Sequence, residues 1–413
     1  MPHHLLTHLF PSNESFGYEA LRAAGYSNCG ASDIGEVITI CHNIPPGDED
    51  RWLQEWKAAG HRAVANAKIS LSKGNTVGAR EAFLRASNYF RTAEFYRREN
   101  PHGDQISKEL ADASVDTFYN AAELMPYVTT KVAIPYEGTT LPGIMMRPDA
   151  SDTPRPLIIV NGGFDSTMEE IVYSVGGAAL QLGMNVLAFD GPGQGSAVRN
   201  QKLFFRHDWE KVVTPVVDFA LSHPFVDNSK LVLIGLSMGG YLAARASAFE
   251  HRLAAVVLND GVYDFGSVFL PKEENPDPNA PDMSVILATD EHDEQANVAI
   301  RQGAALNTGF KWAMNNAKYV FGLNSEAGTI REAQNYTLKD VVEQIKTPTL
   351  VLDAPDDHFM KGQPEELFHK MKCEKELVTL TAEEGASLHC HVGAGSRLGQ
   401  VMMDWVLDKL NSV

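Results

Sequence analysis

Apolar residues recur at helical spacing in three stretches near the start of the chain. These stretches span residues 50–74, 79–93 and 110–125, with short joints between them. The pattern predicts a layer of amphipathic helices in a helical region covering residues 1–126. Residues 1–49 show no such spacing, and we interpret them as irregular. Because amphipathic faces need burial, the layer should pack on the lid insertion, residues 262–345, or on a partner subunit in a homodimer.

The apolar pattern changes at residue 127 to short continuous runs that are typical of buried strands. Two extended segments around Glu137 predict an antiparallel hairpin, and strands and helices alternate after it. The predicted strands are 128–134, 140–146, 156–160, 185–189, 231–234, 253–259, 347–352 and 376–380. The predicted helices between and after them are 167–182, 208–223, 241–245, 363–372 and 394–411. This alternation predicts an α/β domain over residues 127–413, with a mostly parallel, eight-stranded sheet covered by helices on both faces.

One long insertion, residues 262–345, interrupts the alternation. It opens with a proline-rich acidic segment, 271–281, and turns helical over 298–321. Ligand sites in open α/β sheets lie beyond the carboxyl ends of the strands. We therefore interpret the insertion as a lid over such a site.

Composition narrows the classes of function. The 413 residues suit two domains, and 44% apolar content suits large cores. A net charge of −18 argues against nucleic acid and anionic membranes as partners, since phosphate binding needs a basic surface. The four cysteines lack CxxC spacing, which argues against a disulfide framework and a structural zinc site. With no signal peptide or membrane span in the sequence, we expect a cytoplasmic protein with a small-molecule substrate.

The clearest chemical motif is Gly235-Leu-Ser237-Met-Gly239, which lies between an apolar strand and a helix. This is the setting of a nucleophile elbow, where a sharp turn exposes a serine hydroxyl at the top of a sheet. Ser237 is therefore the predicted nucleophile. It needs a histidine base and a carboxylate that orients the histidine.

Later segments supply both partners. Three carboxylates follow the strand 347–352, and the favoured order is Asp357, Asp356, Asp353, because the acid usually lies several residues beyond the strand. Two histidines, His389 and His391, follow the last strand, and both could reach the serine. A His-Cys-His metal site is a further alternative, but the segment lacks the spacing and the fourth ligand of zinc patterns.

The oxyanion hole is expected from the backbone N–H of Met238 and one N–H of the glycine-rich loop after strand 156–160, from Gly163 or Phe164. Asp165, in the same loop, is a candidate substrate contact. The segment 190–195 is also glycine-rich, but its glycines do not follow the dinucleotide-binding pattern. We interpret it as a structural turn.

These motifs together resemble the α/β-hydrolase superfamily throughout residues 127–413. The leading segment 86–96 makes the chain similar to the fungal yellowish-green-type polyketide-shortening hydrolases and to the bacterial dihydropseudooxynicotine hydrolase. The resemblance implies cleavage of a carbon–carbon bond beside a ketone. It also favours His389, which precedes a cysteine, and Asp357 as the partners of the serine.

We accordingly expect a serine hydrolase without cofactor or metal, which cleaves a β-dicarbonyl or polyketide-like substrate through an acyl-enzyme. An ester or thioester hydrolase, or an acyltransferase, would use the same residues. A non-catalytic small-molecule receptor is the alternative from another class of protein.

Overall fold

A computed structural model describes residues 4–270, 289–291 and 293–412. Six helices lead the described chain: α1 (His4–Thr7), α2 (Glu14–Gly25), α3 (Ile34–His42), α4 (Glu49–Ser72), α5 (Thr76–Glu94) and α6 (Gln105–Ala122). The last three are the predicted amphipathic helices. The irregular interpretation of residues 1–49 is wrong, because α2 and α3 lie there. Each begins at a side-chain cap, Asn13 or Asp33, and buries apolar residues on one face.

Eight strands follow, in one sheet: β1 (Val128–Tyr136), β2 (Thr139–Arg147), β3 (Arg155–Asn161), β4 (Asn185–Phe189), β5 (Val226–Leu236), β6 (Ala255–Asn259), β7 (Thr349–Asp353) and β8 (Lys375–Thr379). Their order is β1-β2-β4-β3-β5-β6-β7-β8. The predicted hairpin of β1 and β2 forms the antiparallel edge, and β3 to β8 pair in parallel. The expected eight-stranded, mostly parallel sheet is confirmed.

Helices cover both faces of this sheet: α7 (Met168–Ile171), α8 (Gly177–Gln181), α9 (Gly195–Gln201), α10 (Glu210–Leu221), α11 (Met238–Ser247), α15 (Gln363–Lys370) and α16 (Gly395–Leu410). A π-helical turn, Val172–Gly176, divides the predicted helix 167–182 into α7 and α8. Alternate residues of the central strands belong to two hydrophobic cores, one on each face of the sheet. Leu233 packs with α10 and α11, whereas Ile234 packs with α16. No helix in the described ranges is long and apolar enough to cross a membrane.

The insertion after β6 contains α12 (Asp293–Ala304), α13 (Thr308–Phe321) and α14 (Glu326–Ala333), and the short 3₁₀ helices Phe265–Phe269 and Val342–Gln344. The predicted proline-rich segment 271–281 lies outside the described residues. The insertion packs on the leading helices. Trp312 stacks on Phe95 with 4.4 Å between ring centroids and donates its indole N–H to the Phe95 carbonyl at 2.8 Å. Lys311 pairs with Glu49.

Candidate active site

Ser237 lies in a strained turn between β5 and α11. Its φ of 59° is in the left-handed region, which a non-glycine residue rarely adopts. The flanking glycines make the turn feasible, because an added Cβ at Gly235 would lie 1.9 Å from the Gly239 carbonyl oxygen. The serine hydroxyl therefore lies at the carboxyl end of the parallel strands, as the motif predicted.

The structure brings His389 and Asp357 to this serine. His389 Nε2 is 2.8 Å from Ser237 Oγ, and His389 Nδ1 is 2.6 Å from Asp357 Oδ2. The other oxygen of Asp357 accepts the backbone N–H groups of Phe359 and Met360 at 2.7 and 2.9 Å. Because Nδ1 faces an acceptor, it carries the hydrogen, and Nε2 is left to accept the serine proton.

The alternative residues lie elsewhere. Asp353 accepts a hydrogen bond from Thr379 Oγ1 at 3.1 Å, and the Asp356 side chain is exposed to solvent. The Nδ1 atom of His391 is 2.6 Å from the Ala386 carbonyl oxygen, and the His391 ring is buried. None of these three side chains contacts Ser237 Oγ at hydrogen-bond distance within the described part of the chain.

A second carboxylate, which our sequence reasoning missed, also reaches His389. Asp260 is fully buried, and its Oδ2 is 2.9 Å from His389 Nδ1. The same oxygen accepts the N–H of Cys390 at 2.9 Å. Its only signal in the sequence is an acidic residue directly after the predicted strand 253–259, at the same sheet edge as Ser237.

The electrostatics separate the two carboxylates. Burial alone would raise the pKa of Asp357, but His389 and the backbone donors outweigh it and hold that pKa below its ordinary range. Burial dominates at Asp260 and raises its pKa, against the opposing effect of His389. Burial also disfavours the charged imidazole, yet Asp357 first, then Cys390 and Tyr18, and then the hydrogen bond to Asp260 hold the pKa of His389 well above its ordinary value.

The expected oxyanion loop lies against the elbow. An added Cβ at Gly163 would be 2.9 Å from Ser237 Cβ and 3.0 Å from the backbone nitrogen of Met238. The Gly163 N–H already donates to Ser166 Oγ at 2.9 Å, so Phe164 is the better of the two expected donors. Gln194 donates to the Gly162 carbonyl at 2.6 Å, which gives the 190–195 turn the structural role that we expected.

A cavity of about 630 Å³ opens above the serine. We call the hydrogen-bonded chain of Ser237, His389 and Asp357 its floor; Ser237 and His389 line the cavity. We call its roof the lining residues from the leading helices, the loop after β3 and the insertion, which include Tyr18, Glu19, Arg22, Phe95, Phe164, Asp165, Phe265, Phe269, Phe310 and Trp312. The roof contributes several aromatic rings, the cavity surface is mainly apolar, and the cavity has the size of a small-molecule site.

Asp165 lines the cavity but is not free to bind substrate alone. Its carboxylate pairs with Arg22 of α2 at 3.1 Å. Arg22 also binds Glu170 at 2.7 Å and Glu19 at 3.3 Å, and Arg91 contacts the same two glutamates. Two arginines thus face three carboxylates, and burial raises the pKa of Glu19, which reduces the excess negative charge. This network joins α2 and α5 to the sheet domain.

One group of side chains has the ligand types of a metal site. Asp260, His389 and Cys390 offer ligand atoms within 4.8 Å of one another. Asp260 and His389 already bond each other, and a structural zinc site needs four protein ligands, of which this group supplies three. A cation there would withdraw His389 from its hydrogen bonds, so we assign no metal to this group.

The geometry can be set beside known proteins. Residues 47–286 match the protein family described as "Esterase FrsA-like". This chain belongs to that family. A relative, "Hydrolase LUC6" of a Fusarium species, is 33% identical over 96% of this chain and 97% of its own length. The "20-hydroxy-prefusarin hydrolase FUS2" of Gibberella moniliformis is 30% identical over 96% of each chain.

A solved structure shares the fold of this chain. The crystal structure of 2,6-dihydroxy-pseudo-oxynicotine hydrolase matches with a TM-score of 0.72 at 22% identity, covering 94% of this chain and 95% of that one. The expected α/β-hydrolase fold and the resemblance to this group of enzymes are confirmed. With relatives described as hydrolases over nearly its full length, this FrsA-like chain is itself a hydrolase.

Proposed function

We propose that the protein cleaves a carbon–carbon bond beside a ketone in a β-dicarbonyl or polyketide-like substrate, through Ser237 and an acyl-enzyme. The observation that carries the proposal is the continuous chain of hydrogen bonds from Ser237 Oγ through His389 to Asp357, at 2.8 and 2.6 Å. The similarity to the 20-hydroxy-prefusarin hydrolase FUS2 supports a small organic molecule as substrate.

In the first half-reaction, Ser237 Oγ attacks the ketone carbonyl while His389 Nε2 takes the serine proton. The backbone N–H groups of Met238 and Phe164 hold the resulting oxyanion. Collapse of this intermediate breaks the carbon–carbon bond and releases an enolate, which takes the proton from the His389 imidazolium. Asp357 keeps Nδ1 protonated and stabilises the charged imidazole.

In the second half-reaction, water replaces the leaving group. His389 deprotonates the water, which attacks the acyl carbonyl and releases a carboxylic acid and free Ser237. The aromatic roof suits this chemistry because it can hold a flat conjugated substrate while excluding bulk water. We propose no cofactor, because each proton and electron pair is accounted for by the substrate, water and the three side chains.

An ester or thioester hydrolase is the second candidate, and the description of the matched family as esterase favours it. The same half-reactions would then expel an alkoxide or thiolate instead of an enolate. Transfer of the acyl group to an alcohol or amine is a variant of this route.

The deciding experiment offers matched β-diketones and aryl esters in ¹⁸O-labelled water, with and without an added alcohol or amine. Mass spectrometry identifies the products. Equal amounts of ketone and ¹⁸O-labelled acid from the diketone would support the proposal. Turnover of esters alone would overturn it in favour of an esterase, and capture of the acyl group by the added acceptor would indicate a transferase.

A further inference from the structure

Two buried polar atoms face each other next to the candidate active site. Asp260 Oδ1 and His391 Nε2 are 3.6 Å apart, and neither has a hydrogen-bond partner among the described residues. Both side chains are at most 1% exposed. A buried polar group without a partner costs about 1–3 kcal/mol. The gap of 3.6 Å is slightly longer than a hydrogen bond, so a small approach of the two side chains lets them share one proton and satisfies both atoms.

The protonation of His391 is set from its other side. Its Nδ1 is 2.6 Å from the Ala386 carbonyl oxygen, which can only accept, so Nδ1 carries a hydrogen. In the neutral ring Nε2 then has a lone pair facing Asp260. One proton between Asp260 Oδ1 and His391 Nε2 satisfies both atoms, whether it is held by the carboxyl group or by the ring.

The second oxygen of Asp260 connects this pair to the serine. Asp260 Oδ2 is 2.9 Å from His389 Nδ1, while Asp357 Oδ2 is 2.6 Å from the same nitrogen. Two bare carboxylates at one imidazole N–H would repel each other. A proton shared with His391 lowers the negative charge on Asp260, which allows both carboxyl groups to hold His389.

We propose that Asp260 and His391 form a proton-sharing pair that positions His389, in addition to Asp357, for proton transfer with Ser237. The inference rests on the proposed roles of Ser237 and His389. Asp260 and His391 touch no reacting atom in it, so both are positioning residues. The ionisable groups that act on Asp260 are His389, Asp357 and His391, with Cys390 and Asp353 beyond them.

The test measures the rate at which a small serine-directed phosphonate labels Ser237 in the full-length protein, because labelling needs the base but no natural substrate. Asp260→Ala removes the pair. His391→Asn removes Nε2 but keeps a donor for the Ala386 carbonyl. We expect the phosphonate to label each variant about 10- to 100-fold more slowly, which is the loss found when residues that orient metal-binding side chains are replaced. We expect the labelling rate of the double variant to lie within about threefold of the rate of the slower single variant, because the two residues act as one unit.

The pH profile separates positioning from a purely structural role. The Asp260 contact helps to raise the pKa of His389. Neutral His389 is the base, so losing that contact should move the acidic limb of the labelling profile to lower pH.

Asp260→Asn, which keeps the size and hydrogen bonds of the side chain, should recover part of the labelling rate if Asp260→Ala folds poorly, and should show the same shift of the pH profile. Asp353→Asn is the matched control, because Asp353 is a buried carboxyl that accepts a hydrogen bond from Thr379 Oγ1 and does not contact His389 at hydrogen-bond distance within the described part of the chain. This variant should change neither the labelling rate nor its pH profile.

Unchanged labelling and an unshifted profile in the Asp260 and His391 variants would overturn the pair. Effects that multiply in the double variant would also overturn it, since independent residues behave that way. Absence of labelling in the unmodified protein, or equal labelling of Ser237→Ala, would instead refute the proposed nucleophile and the pair with it.

Discussion

The floor and the roof of the cavity use charge in opposite ways. On the floor, ionisable groups form one directed chain that ends at the serine hydroxyl, and His389 is only 5% exposed. Near the roof, Arg22 is bound by three carboxylates of its own protein, Glu19, Asp165 and Glu170. Its charge is balanced inside the structure, and the surface that the cavity offers to a ligand is mainly apolar, with several aromatic rings.

This difference assigns different tasks to the two parts. In the proposed reaction the floor supplies proton transfer and the nucleophile, for which the loops at the strand ends of a rigid sheet provide fixed positions. The roof supplies shape and apolar contact, and the internal ion network fastens it to the sheet domain. Changes in the floor should therefore alter the rate of reaction, and changes in the roof should alter binding.

Removing the nucleophile should produce the largest effect. Ser237→Ala deletes the attacking oxygen while leaving the roof intact, so kcat should fall by about 10⁶-fold, as for other catalytic serines. Substrate binding, measured by equilibrium titration, should change by less than about threefold. Retention of near-full turnover would show that the floor does not act through this hydroxyl.

Removing the charge of the orienting acid should rank second. Asp357→Asn keeps the shape of the side chain but removes the carboxylate that holds Nδ1–H, so kcat should fall by about 10⁴-fold. The same change at Asp353, which bonds Thr379, should leave kcat within about twofold. Equal losses in the two variants would point to a general effect on the sheet edge instead of an effect on His389.

The floor was largely predictable from sequence because its signals are local. A glycine on each side of Ser237 follows from the steric demands of one turn, and Asp357 and His389 follow predicted strands. Asp260 was missed because its role exists only where the ends of β6, the loop after β7 and the segment after β8 meet. No pattern within a single segment records such a meeting.

The roof was less predictable. Helix α2 is only 12 residues long, so its apolar face repeats too few times to stand out as a periodic pattern. The capping residue Asn13 is its main local indication in the sequence. The partners of Arg22 lie at very different separations along the chain: Glu19 is 3 residues away and Glu170 is 148 residues away. Long-range ion pairs of this kind leave no periodic trace in the sequence.

A roof variant should affect binding more than chemistry. Trp312→Ala removes the ring that stacks on Phe95 and lines the cavity, so KM should rise by about tenfold, equivalent to about 1.4 kcal/mol. Labelling of Ser237 by a small phosphonate should stay within about twofold, because the floor is untouched. The KM of Trp312→Phe, which keeps an aromatic ring but loses the indole hydrogen bond, should lie between those of the unmodified protein and Trp312→Ala. A fall in kcat with unchanged KM would contradict the division of tasks.

The smallest effect concerns Glu169 and Glu170, two neighbouring residues of α7, of which Glu170 lines the cavity. Burial opposes ionisation at both, but Arg22 overcomes it and lowers the pKa of Glu170, whereas Glu169 faces Asp190 and its pKa is raised to about 8. Unfolded glutamate ionises near pH 4.3, so the native protein loses stability as pH rises from there through about 8. Glu169→Gln removes this loss. Its melting temperature relative to the unmodified protein should therefore increase by about 2 °C between pH 5.5 and pH 8.5. A difference that is the same at both pH values would mean that Glu169 is ionised in the folded protein.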